Sequence, residues 1–341
     1  MIKNKKAKWI VRILLLVGTA ISLYFVPWLL VKAWILPLPD TVQEQMDEAI
    51  GHGFDGMIVY IDQKDKEPSF YAAGWKNKEK KIPANPHSLF KIASISKLYH
   101  VAAITKLVDD GRLSLDKTLV DYLPELDGRI ENADEITLRL MIQHRSGIPN
   151  FTDAPGFWES PTETYEEGLA LILDQPANFE PGEDYEYCNT NYLLLNKIMD
   201  EELGYDNFKF IQKEILSPLQ LNHTYSSLDA VNVDDVMSGY HVGYPHDLKT
   251  NDYGMHATAQ DVGKFVKALN EGTLFNEREQ KIYPYEYEHS GWVPGYQSFA
   301  RYDKELEAVV VLFYSTTDPD LYNWNLSEIV NNRVIKILKE E

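Results

Sequence analysis

The stretch Phe90-Lys91-Ile92-Ala93-Ser94-Ile95-Ser96-Lys97-Leu98-Tyr99 constrains this chain most, because the remainder has to be built around it. Apolar residues recur at helical spacing from Leu98 through Val101, Ala102, Ala103, Ile104, Leu107 and Val108, and Gly111 ends the run. The pattern predicts a long buried helix opening just after a loop. At 3.6 residues per turn, Ser94 and Lys97 share one face of its start. A serine hydroxyl is a weak nucleophile until a base takes its proton. A lysine can serve if its surroundings lower its pKa. The spacing alone is unspecific: sixteen serines and 25 lysines in 341 residues give roughly one Ser-x-x-Lys by chance. Two others occur, Ser88 with Lys91 and Ser114 with Lys117. Only Ser94 opens a long apolar helix, where a nucleophile can be held rigidly.

Around this helix the pattern is mixed. Thr41 to Ile50 reads as a short helix, and Met57 to Asp62 and Ser69 to Trp75 as strands joined by a charged turn. Residues 116 to 275 are mostly helical in pattern, with loops rich in Pro, Asn and Asp. Ala308 to Tyr314 is a continuous apolar run typical of a buried strand. Ser327 is placed to cap a last amphipathic helix carrying Val330, Val334, Ile337 and Leu338. The expected fold is α+β: an antiparallel sheet built from both ends of the domain and flanked by helices, with an inserted, mainly helical lobe. A cleft between the two is the expected site.

The N-terminus differs from the rest. Lys3, Lys5, Lys6, Lys8 and Arg12 precede Ile13 to Val31, 19 residues without a charge. A bilayer core takes about 20 apolar residues as helix. A secretory signal has a shorter apolar run and a small-residue cleavage site, which is not evident before Pro37. The expectation is one uncleaved transmembrane helix within residues 1–37. Its basic side faces the cytoplasm, Trp9 and Trp34 sit near the interfaces, and residues 38–341 form a domain outside. Pro27 and Gly18 weaken the helix but are tolerated in membranes. Residues 1–37 hold six basic and no acidic residues, leaving 27 basic against 52 acidic, a net charge of −25. Such a surface repels nucleic acid. Cys188 is the one cysteine, so no internal disulfide forms.

The candidate chemistry comes from a few segments. Tyr187-Cys188-Asn189 follows a Pro-Gly turn and offers a phenol and an amide two residues apart. A tyrosine beside ammonium groups can have a lowered pKa and act as a base. Asn189 can bond the lysine or a substrate amide. Tyr205-Asp206-Asn207 has the same spacing. His289-Ser290-Gly291 precedes a strand and could line a cleft; a structural histidine is the simpler reading. His241 and His246 read as surface histidines. No G-x-S-x-G, H-E-x-x-H or Walker lysine motif occurs, and Gly51 to Gly56 matches G-x-G-x-x-G only with helix and strand in the wrong order. No metal or cofactor is called for.

Together these pieces resemble the serine β-lactamase-like and penicillin-binding hydrolases, in the branch of class C β-lactamases, D-alanyl-D-alanine carboxypeptidases and related esterases. Phe90 to Lys97 resembles the S-x-x-K segment and Tyr187 to Asn189 the Y-x-N element. His289-Ser290-Gly291 stands where the branch has K-T-G or H-T-G. Gln143 to Pro149, Ser217-Pro218-Leu219 and Gly254 to Asp261 resemble supporting segments, so the likeness spans about residues 50 to 320. It implies a β-lactamase/transpeptidase-like fold and an acyl-enzyme on Ser94. Lys97 and Tyr187 would share the acid/base role, with Asn189, His289, Ser290 and Gly291 at the substrate. The N–H groups of Ser94 and Trp292 would form an oxyanion hole. His289 in place of lysine puts dedicated antibiotic hydrolysis in doubt. The implied function is a membrane-anchored serine hydrolase of the penicillin-binding type, acting on an amide or ester such as a D-alanyl peptide or ester. The alternative is a non-catalytic binding or scaffold protein on the same fold.

Overall fold

Both faces of the central strands are apolar, and this fixes the centre of the molecule. The structure, a computed structural model, describes residues 5–340. Strands β1 (Gly56–Gln63), β2 (Ser69–Asn77) and β3 (Ile82–Pro83) come from the N-terminal side. Strands β4 (His289–Val293), β5 (Tyr296–Asp303) and β6 (Ala308–Tyr314) come from the C-terminal side. They form one sheet in the order β3-β2-β1-β6-β5-β4, every pair antiparallel. The two ends of the chain meet where β1 pairs with β6, from Met57 opposite Tyr314 to Gln63 opposite Ala308. The expected sheet is therefore present, two residues longer on β1 and on β2 than the pattern indicates.

Helices cover both faces. They are α1 (Lys5–Tyr24), α2 (Trp28–Ile35), α3 (Val42–Gly51), α4 (Ser96–Asp109), α5 (Asn189–Leu203), α6 (Ala259–Asn270) and α7 (Tyr322–Glu340), with shorter turns between them. Period-two alternation sends Met57, Val59, Ile61, Val310, Leu312 and Tyr314 to the α3 and α7 side. Ile58, Tyr60, Val309, Val311 and Phe313 face α4 and α6. Each such buried side chain contributes about 1.5–3 kcal/mol of transfer free energy. On the second face Phe90 stacks on Phe313 with centroids 4.5 Å apart, and Tyr99 of α4 stacks on Phe265 of α6 at 3.8 Å. These contacts seat the start of α4 against the sheet. The lobe between α4 and α6 is built of α5 and short helices such as Leu138–Ile142 and Tyr165–Ala170.

Two expectations are corrected. Ser327 does not cap the last helix: α7 already starts at Tyr322, and Ser327 lies buried inside it, its hydroxyl oxygen 2.7 Å from Trp324 O and 2.9 Å from Gln297 Oε1. The N-terminal run is not one spanning helix. Among the described residues no single helix is long and apolar enough to cross a membrane; α1 and α2 together pass by length and composition, bent by 75°. Pro27 is the cause, since it lacks an N–H for the helix ladder and disfavours helical backbone before it. Lys3 lies outside the described residues. Trp9, Leu14, Leu15 and Leu16 of α1 are exposed. By contrast α2 is docked: Ala33 is buried, Leu29 and Leu30 pack beside α7, and Arg333 donates to Leu36 O and Pro37 O at 2.8 Å each.

Candidate active site

The nucleophile turn is set by strain and by close packing. Ala93, Ser94 and Ile95 form a 3-10 turn leading into α4. Ala93 adopts φ of +48°, a left-handed conformation that costs a non-glycine residue about 1–2 kcal/mol. Ile92 N–H donates to Met255 O at 3.1 Å, while Ile92 O accepts from Ser298 Oγ at 2.8 Å. The turn is thus tied to the sheet and to the segment before α6. Gly291 of β4 lies directly against it: an added Cβ would meet Ile92 O at 2.5 Å and Ala93 Cβ at 2.9 Å.

Four side chains converge at the start of α4. Tyr187 Oη donates to Ser94 Oγ at 2.7 Å, and Lys97 Nζ lies 3.2 Å from the same oxygen. Lys97 also donates to Asn189 Oδ1 at 2.8 Å, and its Nζ sits 5.0 Å from the ring centroids of both Tyr187 and Tyr192. Asn189 is held by Thr152 Oγ1 through its Nδ2 and by Asn150 Oδ1 through its backbone N–H, both at 3.0 Å. Lys97 is buried with aromatic rings around it, and burial lowers its pKa to about 7. Burial acts oppositely on the phenol, raising Tyr187 to about 12. A phenol beside an amine is expected to titrate low; here desolvation outweighs the lowering by the Ser94 hydrogen bond, and the shift is upward. Near neutral pH Lys97 can therefore be a neutral amine, while Tyr187 keeps its proton.

His289 also lines the cleft, 6.3 Å from Tyr187 between ring centroids. Its neighbours fix its protonation. Cys188 N–H donates to His144 Nδ1 at 3.0 Å, so the proton of neutral His144 is on Nε2. That Nε2 faces Tyr285 Oη at 3.4 Å, and Tyr285 Oη lies 2.9 Å from His289 Nε2. His289 Nδ1 meets Ser290 O at 2.5 Å and must donate there. With neutral rings the chain closes with Tyr285 donating to an unprotonated His289 Nε2. Burial, and then the charge of Lys97, lower His289 to about 4. It is a neutral histidine, not the group titrating between pH 5 and 8 that its ordinary pKa suggests. His144, which only the supporting segment Gln143 to Pro149 pointed to, also stacks on Tyr187 at 4.5 Å and orients it.

The backbone of β4 completes the site. The two-residue link Pro294-Gly295 makes Val293 and Tyr296 a bonded pair, so Gly291 with Ser298 is another. Ser290 and Trp292, between them, direct their N–H and C=O groups off the free edge of the sheet. Trp292 N–H thus emerges beside the turn whose first residues, Ser94 included, have no intrahelical partner for their N–H groups. Two donors there can receive a developing oxyanion.

A cleft of about 930 Å³ opens over these groups. Ser94, Lys97, Tyr187, Asn189, His289, Ser290 and Trp292 line it; Gly291 does not, and serves as the contact described above. The two rival serines lie elsewhere: Ser88 is buried, and Ser114 is in a loop bonded to Tyr122. Tyr205 is exposed, and Asp206 caps the helix Asn207–Ile211. Cys188 is buried, and burial pushes its thiol up, away from thiolate chemistry. His241 is half-buried, with Nδ1 2.7 Å from Thr317 Oγ1, rather than a surface residue. Lys91 has a structural use. Fully buried, it donates to Leu248 O and Asn251 O at 2.6 and 2.5 Å under the Tyr253 and Tyr296 rings, fixing the loop that brings Tyr253 to the cleft.

The sequence of residues 38–286 matches the family described as Beta-lactamase. The chain belongs to that family. Among the curated proteins the chain is similar to "Protein flp" of Staphylococcus aureus (strain COL), 28% identical over 193 residues, 55% of this chain and 39% of flp. The chain thus spans about two fifths of that relative's length. "Putative penicillin-binding protein PbpX" of Bacillus subtilis (strain 168) is 25% identical over 294 residues, 79% of this chain and 71% of PbpX. Among solved structures, the D-amino acid amidase from Ochrobactrum anthropi SV3 has a TM-score of 0.77 at 22% identity, covering 88% of this chain and all of the amidase. A class C beta lactamase has a TM-score of 0.69 at 18% identity, covering 86% and 97%. At these identities the structures speak for the fold alone: the α+β fold of the β-lactamase family.

Proposed function

We propose that the chain is a serine hydrolase that acylates Ser94 and then hydrolyses the acyl-enzyme. The convergence of Lys97 Nζ and Tyr187 Oη on Ser94 Oγ carries this reading. Neutral Lys97 takes the Ser94 proton as Oγ bonds to the substrate carbonyl carbon, while the N–H groups of Ser94 and Trp292 receive the oxyanion. Collapse breaks the bond to the leaving group, which takes a proton from Tyr187; the lysine ammonium restores it. Water repeats the sequence on the ester, Tyr187 now protonating Ser94. The substrate is an ester or amide, a D-alanyl peptide or ester included. The test is a fluorophosphonate or fluorescent penicillin followed by peptide mapping. The adduct is expected on Ser94; an adduct on Ser88 or Ser114 overturns the assignment of Ser94, and none with any acylating probe leaves the non-catalytic scaffold as the reading.

We further propose that the bent pair of α1 and α2 holds the protein at a membrane, with residues 38 onward outside the cytoplasm. The exposed apolar surface of α1 beside Lys8 and Arg12 supports this. The full chain should stay in the membrane pellet after an alkaline wash. Its quantitative release into the supernatant would refute attachment.

A further inference from the structure

The charges and rings around the nucleophile also select what can enter. Resting on the hydrolase reading above, we infer that the cleft takes an acyl group with a free, positively charged amine beside an apolar or aromatic side chain, and disfavours a substrate carboxylate. Three observations carry it. Lys97 is the only lysine or arginine among the described residues lining the cleft, and it is occupied by Ser94, Asn189 and two tyrosine rings. His289, placed where a cation could meet a carboxylate, has both ring nitrogens committed to Tyr285 and Ser290 in a neutral arrangement. His100, the other histidine in the lining, is held low by burial and by the Lys97 charge.

The opposite sign is well supplied. Asp153, Glu163 and Asp252 line the same cleft, and residues 38–341 carry 27 basic against 52 acidic residues. Asp153 and Asp252 each give one oxygen to local bonding, from Asn150 Nδ2 at 2.9 Å and from Gly254 N–H at 3.0 Å. Asp252 gives its other oxygen to Leu228 N–H at 3.3 Å. Asp153 is thus the better placed of the two to meet an ammonium, and Glu163 lines the same cleft. A carboxylate entering here would meet like charge with no free cation to offset it.

An aromatic wall defines the other half of the preference. Trp158 stands edge-on to Trp292 at 5.4 Å and to Phe157 at 5.1 Å, with Tyr253 at 6.5 Å. Trp292 carries the proposed oxyanion N–H, so an apolar group seated against this wall lies next to the reacting carbonyl. The rings also offer their faces to a cation.

The experiment compares three ligands of one skeleton: phenylalaninamide (cation), N-acetyl-phenylalaninamide (neutral) and N-succinyl-phenylalaninamide (anion). Both enantiomers are titrated into the full-length Ser94→Ala variant, with binding read by the change in tryptophan fluorescence, to which Trp158, Trp292 and Trp324 of the lining contribute. Affinity should fall in that order, with about tenfold or more between cation and anion. Added salt should narrow the gap, and so should Asp153→Asn with Glu163→Gln. Equal affinities, tighter binding of the succinyl compound, or no binding of any ligand at millimolar concentration overturns the inference. Binding to a protein that lacks the nucleophile is independent of turnover. Failure here with labelling intact at Ser94 would leave the hydrolase reading standing; ordered binding without labelling would do the reverse.

Discussion

Replacing Lys97 by methionine should lower kcat/KM for acylation by about 10²–10⁴-fold, the usual contribution of a positioned base, and should leave the protein folded. The amine has one proton to take, from Ser94 Oγ at 3.2 Å, and among the described residues no carboxylate forms an ion pair with it. In the parent, kcat/KM should rise with pH through about 7, where Lys97 loses its proton, and stay flat beyond, because Tyr187 is held near 12 and His289 near 4. The stability consequence has a definite sign. An unfolded lysine titrates near 10.4, above its folded value. Between about pH 7 and 10 the unfolded chain binds the extra proton, so stability rises with pH across that window. Methionine removes this slope, and the variant should melt at or above the parent at pH 7. Rate–pH profiles and thermal melts at several pH values check both. An unchanged rate in the variant, or a profile that falls above pH 7, would show that another group is the base.

The fold was largely legible, because period and burial agree there. Ala308 to Tyr314 reads as a buried strand and is β6, residue for residue. Thr41 caps α3 through a reciprocal pair with Glu44. The nucleophile helix was placed by its apolar stripe, although α4 proper starts two residues beyond Ser94. What the sequence could not supply was anything set by distant neighbours. Its apolar stripe placed the start of α7 six residues late, since the half-buried first turn, Tyr322 to Asn325, has no such stripe. The Tyr187 phenol was given the wrong direction because burial, not sequence distance to a lysine, controls it. The ordinary pKa of a histidine says nothing of the protons on His289, which Tyr285, His144 and the Cys188 N–H arrange from positions up to 145 residues away. Lys91 belonged to a chance Ser-x-x-Lys; only the fold reveals the two carbonyls that hold it.

Gly291→Ala should be the most damaging small substitution in the site. The new methyl group would stand 2.5 Å from Ile92 O, 2.6 Å from Ser298 Oγ and 2.9 Å from Ala93 Cβ. Two of these are parts of the nucleophile turn, whose left-handed Ala93 leaves it little room to yield. Relief comes from sliding β4, the edge strand, away from the turn. That carries Trp292 N–H from the place where the oxyanion forms while Lys97, Tyr187 and Asn189 stay with the lobe and α4. Loss of one such donor costs about 10²–10³ in kcat, so turnover should fall by that order. Overpacking of a filled contact should cost about 1–3 kcal/mol of stability. Gly51→Ala is the control. Nothing lies within 4 Å of its added Cβ, its backbone is not left-handed, and it ends α3 away from the cleft. It should keep full activity and melt at or slightly above the parent. The decisive comparison is kcat of the two variants with one ester, beside labelling rates at Ser94. If Gly291→Ala melts lower yet turns over at the parent rate, β4 contributes no oxyanion donor, and stabilisation of the tetrahedral intermediate must be sought in the Ser94 turn alone.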